Sequence, residues 1–165
     1  MREESTLTML LSYEGVCFDL FGTLVTGEGT PIDGAQDALV LLPAERWAIV
    51  TSCGSRFAAM LIAAAELPAP RVLVSADDVS RGKPAPDPYA LAAERLGLSP
   101  ERIVVIEDSR DGIASGRAAG MDVIAIARGR GASFAREAIG YVDRFEELHW
   151  KLGGDGSIRI DLRRD

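Results

Sequence analysis

Short, uninterrupted apolar runs alternate with helix-like segments along this chain, and that alternation limits its fold more than any other feature. The runs are Val16-Cys17-Phe18, Trp47-Ala48-Ile49-Val50, Val72-Leu73-Val74, Ile103-Val104-Val105-Ile106 and Val123-Ile124-Ala125-Ile126. Runs this short, bounded by turn residues, predict strands. Continuous hydrophobicity predicts strands buried on both faces, as in a parallel sheet. Helices are predicted between them. One is capped by Asp33 and runs through Ala38 to about Leu42. The next opens at Gly54 or Ser55 and runs to about Ala65. A third has Asp87 as cap and Pro88 at its first position and ends near Leu96-Gly97. A fourth starts at Ser109 and is closed by Gly120. The fold class is therefore α/β, a central parallel sheet covered by helices on both sides.

The ends are less regular. Residues 1–12 have no clear period and read as a flexible N-terminal arm, with Met9 as an alternative start. Residues 13–165 are expected to form a single core domain. A helix is expected near Phe134 to Ala138. Asp143 and Glu146 look like a capping box for a last helix through Trp150. Ile158-Arg159-Ile160-Asp161-Leu162 alternates as an edge strand would, after the turn at Gly153 to Gly156.

Polar residues cluster where the apolar runs stop. Asp19 ends the first, Thr51 follows the second, Lys83 lies in the loop after the third, and Glu107-Asp108 end the fourth. In a parallel sheet these ends share one edge, the edge at which open α/β sheets bind ligands. Asp19 is costly to bury unpaired, so a cation or a ring of donors must compensate it. Asp19 and Asp108 can share a hard cation such as Mg²⁺. A carboxylate can attack phosphorus to give an aspartyl-phosphate. Lys83 and Thr51 would neutralise and hold the phosphoryl oxygens.

The stretches Phe18-Asp19-Leu20-Phe21-Gly22-Thr23-Leu24, Ile49-Val50-Thr51-Ser52, Gly82-Lys83-Pro84 and Ile106-Glu107-Asp108-Ser109 resemble the four motifs of the haloacid dehalogenase-like (HAD) hydrolases, in that family's order. Gly82-Lys83-Pro84-Ala85-Pro86-Asp87-Pro88-Tyr89 and Glu107-Asp108-Ser109 resemble its sugar-phosphate and glycerol-phosphate phosphatase branch, subfamily IA. The resemblance implies a Rossmann-like three-layer α/β/α sandwich and a Mg²⁺-dependent phosphatase of small phosphate monoesters, sugar or polyol phosphates. It makes Asp19 the nucleophile and places Thr51, Ser52 and Lys83 on the phosphate. Asp19, Asp108 and the backbone carbonyl of Phe21 would hold the metal, with Glu107 supporting them. Response-regulator receiver domains also combine Asp, Thr or Ser and Lys around Mg²⁺, but in a different chain order.

The chain departs from that branch in two ways. Phosphatases of the family usually carry an acid/base Asp two positions after the nucleophile, where this chain has Phe21. Such help is typically worth about 10²–10⁴ in rate. An alkyl phosphate should therefore turn over slowly, and an aryl or acyl phosphate should suffer less. The cap is also missing, since Leu24 to Trp47 has room only for a loop and one helix. The site should stand open unless a protein partner or a second copy covers it. These departures favour an alternative, a catalytically weak or inactive HAD-fold binding protein. The missing cap, and a fourth motif Glu107-Asp108-Ser109 unlike that of the dehalogenases, also weaken a dehalogenase reading.

Asp111 reads first as a helix N-terminal acid, with the alternative that it replaces the missing acid/base Asp. Asp77 and Asp78 read as loop caps. Arg56, Arg110, Arg128 and Arg130 read as solvated, each with the option of facing an anion. Cys17 reads as core, and His149 carries no role. The formal net charge is −7 and the pI about 4.8, which argues against nucleic acid or an anionic membrane as a partner. Two cysteines form no disulfide framework, and Met1-Arg2-Glu3-Glu4-Ser5 is acidic where a secretory signal is basic. The expected location is cytoplasmic.

Overall fold

A computed structural model describes residues 9–163. In chain order the elements begin with β1 (Met9–Tyr13), β2 (Gly15–Asp19), α1 (Ala35–Leu41), β3 (Trp47–Val50), α2 (Ser55–Ala64), β4 (Val72–Val74) and α3 (Asp87–Leu96). There follow β5 (Ile103–Glu107), α4 (Arg110–Ala118), β6 (Asp122–Ile126), α5 (Gly131–Phe134), β7 (Gly140–Val142), β8 (Leu148–Leu152) and β9 (Ile158–Leu162). Six strands form one sheet in the order β4-β3-β2-β5-β6-β7, every neighbouring pair parallel.

Successive residues of the central strands serve opposite faces. Val16, Phe18, Ile49, Val104, Ile106 and Ile124 pack toward α1 and α2. Cys17, Val50, Val105, Val123 and Ala125 pack toward Tyr89 and Ala92 of α3 and Ile113 of α4. Both faces are thus covered, as the unbroken apolar runs predict. Each fully buried Phe or Ile side chain contributes roughly 1.5–3 kcal/mol to stability. Residues α/β in order and layered in this way form the expected three-layer sandwich.

The C-terminal part differs from expectation. The helix through Trp150 does not form: Phe145–Glu147 is a single 3₁₀ turn, and Leu148–Leu152 is strand β8. Asp143 instead accepts a hydrogen bond from the backbone N–H of Gly129 (2.7 Å). The helix near Phe134 lies earlier, at Gly131–Phe134. β9 is no edge strand. It lies between β1 and β8 in a three-stranded antiparallel sheet. Residues 9–12, expected in the arm, belong to β1, while the rest of that arm lies outside the described residues. Pairing with β9, distant in sequence, turns an aperiodic stretch into a strand, which no local pattern reports. Ile158, Ile160 and Leu162 of this second sheet share a core cluster with Phe18 and Ile106 of the first.

At the N-terminus of α1 the cap is Gly34, at φ 82°, and not Asp33. α3 starts at Asp87 behind Pro86, one residue earlier than expected. Between β2 and β3 the chain holds a turn and α1 and nothing larger. No helix among the described residues is long and apolar enough to cross a membrane.

Candidate active site

Parallel pairing of β2 with β3 and β5 brings Asp19, Thr51 and Glu107 to one edge of the sheet. Lys83 reaches this edge from the loop before α3, with the Lys83–Pro84 peptide cis. Its ammonium donates to Asp19 Oδ1 (2.8 Å), Glu107 Oε1 (2.6 Å) and the Val50 carbonyl (3.0 Å). An ammonium has three donors, so all are used. Burial by itself would lower the Lys83 pKa, but Asp19 and Glu107 more than reverse this and hold it above its usual 10.5. Lys83 is therefore a fixed positive charge.

Glu107 is fully buried and saturated. Its Oε1 also accepts from the Tyr89 hydroxyl (2.8 Å). Its Oε2 accepts from the N–H groups of Asp108 (3.0 Å) and Ser109 (3.2 Å) and from Ser109 Oγ (3.1 Å). The same Ser109 oxygen caps α4 by accepting from Gly112 N. Glu107 lies so close to α4 that a Cβ on Gly112 would overlap its carboxylate. Gly112→Ala is expected to push that carboxylate off its donors and to cost more than about 2 kcal/mol of stability by overpacking and lost hydrogen bonds, measured by urea denaturation.

Asp19 Oδ2 accepts from Thr23 Oγ1 (3.2 Å). Asp19, Glu107 and Asp108 each offer an oxygen within 4.8 Å of the others, as a metal site requires. Glu107 has its oxygens engaged, so Asp19 and Asp108 are the pair best able to take an ion. Burial, Glu107 and Asp108 push the Asp19 pKa well above the usual carboxylate range, against the pull of Lys83. Burial and Glu107 raise Asp108 too, against a hydrogen bond from Asp19 and the charges of Arg128 and Arg130. Three carboxylates around one ammonium leave negative charge in excess, and an all-oxygen donor set suits a hard cation such as Mg²⁺. Gly22, at φ 78°, admits this packing, since a Cβ there would overlap the Asp108 carboxylate.

Thr51 is buried, its Oγ1 accepting from Cys53 N (3.3 Å) beside Cys53 Sγ, while Ser52 next to it is exposed. Phe21 lies in the turn after Asp19, and its ring stacks on Phe57 of α2 (centroids 6.0 Å, interplanar 22°). Asp77 accepts from Ser55 at the start of α2, and Asp78 closes a capping box with Ser75, so both act as loop caps. Asp111 is exposed in the first turn of α4, and His149 is exposed on β8. Cys17 is core, where burial pushes its thiol up to about 12.

Arg128 and Arg130 are less free than their sequence context suggests. Arg130 donates to the carbonyls of Asp108, Ile126 and Ala127 and packs on the Phe134 ring at 3.5 Å. Arg128 donates to the Gly22 carbonyl and stands 3.9 Å from Asp108 Oδ2. Sequence reasoning named Tyr89 only within a motif. The available signal was a tyrosine on the apolar face of a helix, since a buried hydroxyl needs a partner.

A model of the haloacid dehalogenase-like hydrolase family matches residues 26–120. Hexitol phosphatase A of Escherichia coli (strain K12) is 52% identical over 80 residues, covering 48% of this chain and 37% of that enzyme. Glycerol-1-phosphate phosphohydrolase 1 of Saccharomyces cerevisiae is 35% identical over 108 residues, covering 61% and 43%. The chain thus matches less than half the length of either enzyme. Among solved structures, a HAD family hydrolase from Deinococcus radiodurans R1, with bound phosphate and sodium, superposes with a TM-score of 0.71 at 26% identity, over 79% of this chain and 90% of that one.

Proposed function

The chain belongs to the haloacid dehalogenase-like hydrolases, and from that premise we propose that it hydrolyses phosphate monoesters through an aspartyl-phosphate on Asp19. The observation that carries this reading is Lys83 held between Asp19 and Glu107, with Asp108 alongside. An Asp19 oxygen attacks phosphorus as the bond to the leaving oxygen breaks. The electron pair departs with that oxygen. Water then attacks the phosphoryl group, releasing phosphate and restoring the carboxylate. Lys83 stays protonated throughout and offsets charge on the phosphoryl oxygens, and Thr51 and Ser52 hold them from the turn after β3. The residues fit Mg²⁺: Asp19, Asp108 and the Phe21 carbonyl would hold it, and when bound it neutralises phosphoryl charge.

Two relatives are named for hexitol and glycerol phosphates, which supports a small polyol or sugar phosphate as the reference substrate. We also take residues 13–165, with residues 9–12 of β1 added, as one core domain, a reading supported by the cluster that the two sheets share. The expected partner is the small substrate, and the expected location cytoplasmic.

The test is phosphate release from aryl and polyol phosphates with and without Mg²⁺, for the wild type and Asp19→Asn. Metal-dependent release that Asp19→Asn abolishes supports the reading. Mg²⁺ binding with no turnover of any ester would favour the second reading, a binding protein, to which Phe21 in place of an acid lends weight.

The raised carboxylates make a separate prediction. Without metal, Asp19 and Asp108 keep protons above the range in which they ionise unfolded, so they favour the folded state at low pH and lose that effect as pH rises through their raised values. A bound cation favours their ionised forms. The rise in Tm on adding Mg²⁺ is therefore expected to grow from acid toward neutral pH, and an increment that shrinks over that span would contradict the metal assignment.

A further inference from the structure

Two features of the site constrain the leaving group, and they are independent. The first is its proton supply. Among the described residues, the carboxyl groups clustered with Asp19 are Glu107 and Asp108. Glu107 accepts five hydrogen bonds, from Lys83, Tyr89, Asp108 N, Ser109 N and Ser109 Oγ. Asp108 is a metal carboxylate in the reading above, and Lys83 commits its three donors to Asp19, Glu107 and the Val50 carbonyl. At the position two residues after Asp19 stands a phenyl ring. Among the described residues no further carboxyl group is clustered with Asp19 to protonate a departing alkoxide, and Asp111 is exposed in the first turn of α4, outside that cluster.

The second feature is a surface. β2 and β3 are adjacent, with Asp19 opposite Val50. The turns that leave their ends therefore start side by side. One carries Phe21, and the other leads into α2, whose first turn carries Phe57. The two rings stack. Phe57 is 45% exposed, and Met60, one turn further along α2, is 56% exposed. Phe57 and Met60 lie one turn apart on α2 and, with the Phe21 ring, form a contiguous apolar patch, the kind of surface that marks a ligand-binding groove where a lone exposed apolar residue does not. Met and aromatic side chains are also favourable partners for a planar ring.

We propose that the leaving group is an aromatic alcohol whose ring packs against the Phe21–Phe57 pair, which makes the chain an aryl-phosphate hydrolase. The inference rests on the monoesterase reading and narrows it. Chemistry and surface then agree. When the bond from phosphorus to the aryl oxygen breaks, the pair is left on a phenolate and delocalises into the ring. A phenol ionises near pH 10, as tyrosine does, so the phenolate departs without a proton and takes one from water afterwards. The same ring that makes the acid unnecessary is the group the aromatic pair can hold.

The experiment compares kcat/KM for phenyl phosphate, acetyl phosphate and glycerol phosphate, with Mg²⁺, for the full chain and for Phe57→Ala. Acetyl phosphate leaves easily but has no ring, so it separates leaving ability from ring binding. Phenyl phosphate is expected to exceed glycerol phosphate by about 10²-fold or more, the scale of missing general-acid help. Phe57→Ala is expected to raise KM for phenyl phosphate about three- to tenfold and to lower the phenyl-to-acetyl ratio of kcat/KM by a similar factor. Phe57 is exposed, so the variant should fold. An unaltered phenyl-to-acetyl ratio in Phe57→Ala overturns the ring site while leaving the monoesterase reading intact. Glycerol phosphate as fast as phenyl phosphate overturns the leaving-group argument and also leaves that reading intact. No hydrolysis of any of the three overturns both.

Discussion

Asp19→Asn is expected to reduce Mg²⁺-dependent phosphate release by at least about a thousandfold, close to background, while leaving the fold in place. Removing a nucleophile removes the covalent route itself, and such losses are among the largest single substitutions produce. A thousandfold corresponds to about 4 kcal/mol of transition-state stabilisation. The amide keeps the shape of the carboxylate and can still face Lys83 and Thr23. Burial and two neighbouring carboxylates already resist a charge at this position. Neutralising Asp19 therefore relieves part of that repulsion, and the variant should unfold at a similar or higher temperature than the metal-free wild type. Single-turnover phosphate release and thermal unfolding together check this. Full activity in Asp19→Asn would remove Asp19 from the chemistry. Lost activity with a collapsed Tm would leave the loss without a catalytic meaning.

Lys83→Met should have a comparable effect on rate and a much larger effect on stability. The ammonium is the hub of the site, bonded to Asp19, Glu107 and the Val50 carbonyl and almost wholly buried. Methionine has a similar length but no charge, so it leaves the carboxylates facing one another without their counter-ion. Breaking a buried ion pair from one side typically costs about 3–5 kcal/mol. In the variant the carboxylate pKa values move further up in the folded state. Stability from such groups is present below their unfolded pKa and is lost as pH rises through the folded one. The deficit against the wild type should therefore be largest near neutral pH and shrink in acid, as read from urea denaturation across that range. Mg²⁺ should recover part of the stability and none of the turnover, because the ion can neutralise Asp19 and Asp108 but cannot offset charge on the phosphoryl oxygens from the position of Lys83. A deficit that does not vary with pH would mean the lost packing, and not the lost charge, sets the cost.

Both substitutions fall on residues visible in the sequence, and the reason is local. Asp19, Thr51, Lys83 and Glu107-Asp108 each follow an apolar run or sit in the loop after one, and parallel pairing makes strand ends coincide in space. Tyr89 was legible only as part of a motif. Its role arises because Glu107 and Val105 share a strand face, the face that α3 covers, and that coincidence depends on register. Gly22 and Gly112 looked like ordinary turn and helix residues. Their importance is the absence of a Cβ next to Asp108 and Glu107, which appears only when chain segments meet. Arg128 and Arg130 read as solvated because their partners include the backbone carbonyls of Gly22 and Asp108, in the loops after β2 and β5, which have no sequence signature.

The sequence by itself determined the α/β layering, the order of the four motifs and the chemistry of the carboxylate edge. Those follow from the hydrophobic period and residue type, both local properties. Only the tertiary structure decided the second sheet, where β9 became a central strand by pairing with its neighbour β8 and with β1, far away in the chain. It alone decided the saturation of Glu107 and the meeting of Phe21 with Phe57. The Lys83 and Tyr89 bonds to Glu107 and the Phe21–Phe57 stack join segments distant in sequence, and their energies depend on register and approach, which no local pattern encodes.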